Sequence, residues 1–109
     1  MVDQIIIRVI FDHGSGTFFW SDNDAAFDHF GDYFIEPNQL PIPQNLWRRA
    51  YYLICWRDTI LDWINPGGDR MWDEEETERF NQEMTLFIER LKAELPPIYS
   101  LNTSKLNLY

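Results

Sequence analysis

The sequence predicts an α+β fold, a small antiparallel sheet packed on three helices, and three observations carry that expectation. A β-branched apolar run opens the chain, two long stretches repeat their apolar residues every three to four positions, and proline or glycine punctuates the joins. With 109 residues, 45% hydrophobic and 17% aromatic, there is enough apolar material for one core and too much for a disordered acidic tail. A single domain over residues 1–109 follows, its ends at 1–3 and 102–109 expected to be loose.

Gln4 to Phe11 is apolar on both alternating sets and reads as a strand covered on both faces, or nearly so. Asp12 to Gly16 supplies two glycines for a five-residue hairpin loop, and Thr17 to Trp20 returns as a second strand. Because Gly14-Ser15-Gly16 joins strand to strand and lacks a Gly-Lys-Ser/Thr ending, it is a turn and not a phosphate loop. Ser21 is placed to cap a short helix with Asp24 at its third position and Gly31 as its stop. Pro37, Pro41 and Pro43 then hold Asp32 to Gln44 as an extended loop anchored by Tyr33, Phe34, Ile35, Leu40 and Ile42.

The spacing predicts a second helix from Gln44 or Asn45 to Asn65, stopped by Pro66-Gly67-Gly68. One face carries Leu46, Ala50, Leu53, Ile54, Ile60, Leu61 and Ile64, a core stripe. Tyr52, Trp56, Thr59 and Trp63 form a second face, expected to be covered by the sheet and the third helix. Asp73 as N-cap with Glu76 three residues on resembles a capping box, and it opens a third helix striped by Phe80, Met84, Phe87, Ile88, Leu91 and Leu95. Pro96-Pro97 ends it, and Ile98 to Leu101 is expected to return as a strand beside the hairpin.

Charge narrows the function classes. Eighteen acids against nine bases give a net charge of −9, a field that disfavours a nucleic-acid groove and favours a basic partner. Residues 1–45 hold seven acids and one base, Arg8. Asp24, Asp28 and Asp32 are spaced by four, so a helix reaching that far would align them in a row roughly 6 Å apart. Asp22, Asp24, Asp28, Asp32 and Glu36 are therefore the candidate docking surface, and Trp56 and Trp63 the candidate aromatic anchors. The plainer reading of the same acids is helix capping and solubility. Arg48, Arg49 and Arg57 are expected to pair with carboxylates of the acidic front half.

Catalytic chemistry finds little support. Cys55 is the single cysteine, which excludes an internal disulfide, and its apolar neighbours predict a buried small hydrophobe. A metal site from His29 with Asp28 and Asp32 is disfavoured, because adjacent residues of a helix point to different faces. There is no nucleophile elbow, Walker lysine or dinucleotide fingerprint, so no cofactor and no enzymatic activity are expected. Nor is there a signal peptide or an apolar run long enough to span a membrane, and the expected compartment is the cytoplasm.

Gly16-Thr17-Phe18-Phe19-Trp20-Ser21-Asp22-Asn23-Asp24-Ala25-Ala26, Leu61-Asp62-Trp63, and the helix from Glu78-Arg79-Phe80-Asn81 to Ala93-Glu94-Leu95 resemble a family of small bacterial proteins without assigned activity, over roughly residues 5–100. In size, charge and aromatic content the chain is also similar to small acidic immunity proteins of bacterial toxin systems. Neither resemblance implies catalytic residues. The expected function is a protein-binding module that neutralises a basic toxin or nuclease through its acidic surface. A structural or homo-oligomeric protein with an aromatic seam is the second reading, and a small enzyme or ligand carrier with a pocket between the second helix and the sheet is the third.

Overall fold

The computed structural model describes residues 4–65 and 67–106. Four strands form one sheet: β1 (Ile5–Val9), β2 (Phe19–Ser21), β3 (Phe34–Ile35) and β4 (Tyr99–Asn102), in the order β3-β2-β1-β4. Three helices accompany it: α1 (Asp24–Phe30), α2 (Gln44–Asp58) and α3 (Glu74–Glu94). The α+β class holds, but the sheet is mixed and not antiparallel. β1 pairs antiparallel with β2 and parallel with β4, Ile5 opposite Tyr99 and Arg8 opposite Asn102. A parallel neighbour needs a long crossover, and the two long helices supply it.

Alternation in β1 sets the two sides of the sheet. Ile5, Ile7 and Val9 are buried with Phe19 and Ile35 in the core, while Ile6, Arg8 and Ile10 on the other side are half-buried, so the strand is covered fully on one face and partly on the other. The hairpin loop is longer than five residues. Pairing extends past Val9 only through the Ile10 N–H donating to Phe18 O, because Thr17 turns inward and donates its hydroxyl to Ile35 O at 2.6 Å. That same bond draws residues 34 and 35, expected as loop, onto β2 as a further strand, Phe19 opposite Ile35.

α1 starts two residues later than Ser21 predicts. Ser21 belongs to β2, and Asn23 is the cap: its Oδ1 accepts from the N–H groups of Ala26 (2.9 Å) and Ile6 (3.2 Å), which ties the helix to the start of β1. Gly31 ends it in the left-handed conformation, φ 78°. A Cβ there meets nothing within 4 Å, so Gly31→Ala is expected to cost only the backbone strain, about 1 kcal/mol, read as a lowered urea midpoint. A loss several times larger would mean that Gly31 does more than end the helix.

α2 and α3 form an antiparallel pair. Arg49 bonds Glu83 at 2.6 Å near one end, and Trp56 Nε1 donates to Glu76 at 2.9 Å near the other. All six stripe residues of α3 are buried, and Asp73 Oδ1 accepts the Glu76 N–H at 2.8 Å. The reciprocal half of the capping box is replaced by the bond from Trp56, since the Glu76 carboxylate is turned toward α2.

α2 stops at Asp58, seven residues short of the expected end at Asn65. Its last turn is taken over by side chains: Thr59 Oγ1 donates to Trp56 O, and Asp62 Oδ1 accepts the N–H groups of Ile64 and Asn65 at 3.0 and 3.1 Å. The returning chain then docks on that turn, Met71 N–H to Ile60 O at 2.9 Å and Trp72 Nε1 to Thr59 Oγ1 at 2.7 Å. Ile60 stays in the core, Leu61 is half-buried, and Ile64 is 98% exposed instead of joining the stripe. Cys55 is likewise exposed, because Leu53, Ile54 and Arg57 hold the inner face at that level.

Part of the expected loose end, residues 102–106, makes contacts with the fold. Asn102 closes β4, and Leu106 packs against the core. The expectation for 1–3 and 107–109 lies outside the described residues. Among the described residues no helix is long and apolar enough to cross a membrane.

Candidate functional site

The seven candidate residues separate into three groups. Asp24 and Asp28 lie exposed on α1, and between them Phe27 is 49% exposed. Asp32 is also exposed but lies beyond Gly31, so the expected row of three is a pair on the helix plus one acid in the following turn. The Asp32 backbone oxygen accepts from Ser21 Oγ at 2.7 Å, and its carboxylate accepts from the Tyr33 N–H at 2.7 Å. No ion pair to Asp24, Asp28 or Asp32 occurs among the described residues.

Asp22 and Glu36 do structural work. Asp22 lies across two neighbouring strands, accepting from Arg8 Nε at 3.0 Å and Asn102 Nδ2 at 2.8 Å, with its side chain only 13% exposed. The Asn102 amide, and after it the Arg8 guanidinium, hold its carboxyl below the ordinary range against the opposing effect of burial, and Asp22 in turn raises Arg8. Glu36 accepts from Tyr51 Oη at 2.8 Å, and burial, then this carboxylate, push the Tyr51 phenol up. Arg49, expected to pair with the acidic front half, pairs instead with Glu83 of α3. It also stacks on Tyr52 at 4.9 Å, Arg48 lies over Trp47 at 5.8 Å, and buried Arg57 lies over Phe11 at 4.5 Å.

The two tryptophans part company. Trp56 is half-buried against Trp72 and Phe80, with ring centroids 6.0 and 5.1 Å away, so that part of the second face of α2 is covered as expected. Trp63 is 56% exposed and Tyr52 55%, so the rest of that face is not. Trp63 Nε1 donates to Asp58 O at 3.0 Å, and its ring lies over the hairpin loop, where a Cβ on Gly14 (φ 81°) would stand 3.4 Å from it. Gly14 N–H also reaches Asp58 Oδ1 at 3.4 Å, and His13 Nδ1 lies 3.4 Å from the same oxygen.

These placements put the acids of α1 and the exposed Trp63 at opposite ends of β1. α1 is fastened through Asn23 to Gln4 and Ile6, whereas Trp63 sits on the loop that follows Val9. In a body 48 × 24 × 24 Å they are two surfaces and not one. Ile64 and Met71, 98% and 63% exposed, belong to the Trp63 end and were not singled out in sequence, since periodicity assigned Ile64 to the core.

His29 Nε2 contacts Tyr99 Oη at 3.1 Å, and among the described residues no three His, Cys, Asp or Glu side chains come together as metal ligands. Two depressions of about 480 and 510 Å³ run along α3, sharing Glu78 and Asn81 in their walls, away from the expected position between α2 and the sheet.

A family model described as Serratia CdiI immunity protein-like matches residues 6–104. A search of curated proteins finds no match.

Proposed function

The chain belongs to the Serratia CdiI immunity protein-like family, and from that premise we propose that it binds and neutralises a toxin whose surface is positively charged. It acts by occlusion, with no chemistry of its own, and in the cytoplasm, where a toxin that cleaves nucleic acid meets its substrate. The observation that carries the reading is the face of α1. Two carboxylates with no internal ion pair among the described residues flank a half-exposed phenylalanine on the most acidic third of a chain of net charge −9. Such a face attracts a basic protein over a Debye length and orients it, while the aromatic ring supplies area to bury.

The experiment pairs the purified chain with the toxin domain of the protein encoded immediately upstream, since an immunity protein is normally encoded beside its toxin. Co-expression should restore growth to cells making that domain. In stopped flow, Asp24→Asn/Asp28→Asn/Asp32→Asn is expected to slow association about tenfold at low salt and to flatten its salt dependence. An association rate and salt slope equal to those of the unaltered chain would take the docking role away from α1.

A further inference from the structure

We infer that the loop between Ile60 and Met71 is a second, apolar docking element that inserts Trp63 and Ile64 into a positively rimmed pocket of the toxin, on the reading of a toxin-neutralising protein given above. Its exposure is the first observation. Ile64 is 98%, Met71 63% and Trp63 56% exposed, the largest concentration of uncovered apolar side chains along the described chain. Apolar side chains left uncovered close together mark partner sites, and these three stand within nine residues of one another.

The second observation is that the neck of the loop and its limb from Asp62 to Asn65 are held by hydrogen bonds. Met71 N–H to Ile60 O and Trp72 Nε1 to Thr59 Oγ1 close its neck, at 2.9 and 2.7 Å. Inside it the Asp62 carboxylate fixes the N–H groups of Ile64 and Asn65, and Trp63 is pinned by Asp58 O and the surface of Gly14. Loops closed at the neck and packed on themselves are frequent carriers of binding residues, and a side chain already held in its bound position loses less entropy on docking.

The third observation selects the occupant. Residues 58–78 hold eight acids and one base, a stretch more acidic than the segment around α1. Several of these carboxylates make internal hydrogen bonds, which leaves their charge and therefore their field in place. A partner burying Ile64 must meet that field at the rim, where a basic rim is attracted, a neutral one gains nothing and an acidic one is repelled. A second copy of this chain would bring the same acids to the same place, so self-association through this loop is electrostatically opposed. An apolar centre inside a charged rim is also the usual layout of a binding hot spot.

The test uses the upstream-encoded toxin domain as probe and reads both rate constants. Ile64→Ser/Met71→Ser removes two side chains that make no core contact, so thermal unfolding should be unchanged. Trp63→Ser is the second variant, read alongside its unfolding curve. The serine pair is expected to raise the dissociation rate about 100-fold with little change in association rate, whereas the asparagine variant of α1 slows association alone. A dissociation rate equal to that of the unaltered chain overturns the loop assignment while leaving the toxin-binding reading intact. So does a monomer–dimer equilibrium of the isolated chain that the serine pair abolishes, which would make the loop a contact between copies. If the unaltered chain fails to bind the domain at all, the toxin-binding reading falls and the loop's role falls with it.

Discussion

Replacing Phe80 by alanine is expected to lower the free energy of unfolding by about 4 kcal/mol. The ring is fully buried, and it touches Phe11 from the hairpin loop, Trp56 from α2 and Trp72 from the returning chain, at centroid distances of 5.6, 5.1 and 5.0 Å. The buried Arg57 guanidinium stands 5.7 Å from it. No collapse of one neighbour fills a gap lined by three other segments, so the cavity remains and the loss adds to that of the aromatic contacts, each about 0.5–1.5 kcal/mol. Against a total of about 5–15 kcal/mol for a domain of this kind, the melting temperature should fall by roughly 15–25 °C. Phe80→Leu keeps most of the volume and should cost about a third as much. A loss below about 1 kcal/mol for the alanine variant in urea titration would show that this cluster is not where the core is held.

Asp22→Ala is expected to cost about 2 kcal/mol near neutral pH, by leaving the Arg8 and Asn102 donors between β1 and β4 without their shared acceptor. The pH dependence follows from the direction of the shift. Because the folded-state carboxyl is held below its ordinary value of 3.8, its contribution is complete above that value and is lost as pH falls through the lower folded one. The gap between the two proteins should therefore narrow below about pH 4 and be constant above about pH 5. Asp22→Asn, which keeps one acceptor and loses the charge, should fall between them. A gap as wide at pH 2.5 as at pH 7 would assign the effect to packing and not to the carboxylate.

What the sequence made legible tracks how local the physics is. The third helix was readable from cap to proline because Asp73, the dipole-matched acids and the six-residue stripe all depend on neighbours within a few positions. Gly31 as the end of α1 was legible for the same reason. The direction of β4 was not, because parallel and antiparallel neighbours present the same alternation and only the path of the intervening helices decides. The early end of α2 was obscured by apolar residues that continue the helical period past Asp58, although Thr59 and Asp62 carry the competing signal, short side chains able to capture backbone groups.

For the site, net charge identified the sign of the field but not which acids are spoken for. Asp22 and Glu36 look like Asp24 and Asp28 in sequence, and only folding brings Asn102 and Tyr51 onto the first pair. The same holds for the tryptophans, since Trp72, which covers Trp56, is brought beside it by the turn that leaves Trp63 outside.

The parallel pairing of β1 with β4 also sets when the protein can work. β1 meets β2 within a dozen residues, but its other edge stays open until Tyr99 and the residues after it have emerged from the ribosome. Until then the nascent chain carries an unpaired edge with three successive isoleucines, Ile5 to Ile7, a template for unwanted pairing. A chain released just short of Tyr99 would have both long helices and no finished sheet to seat them.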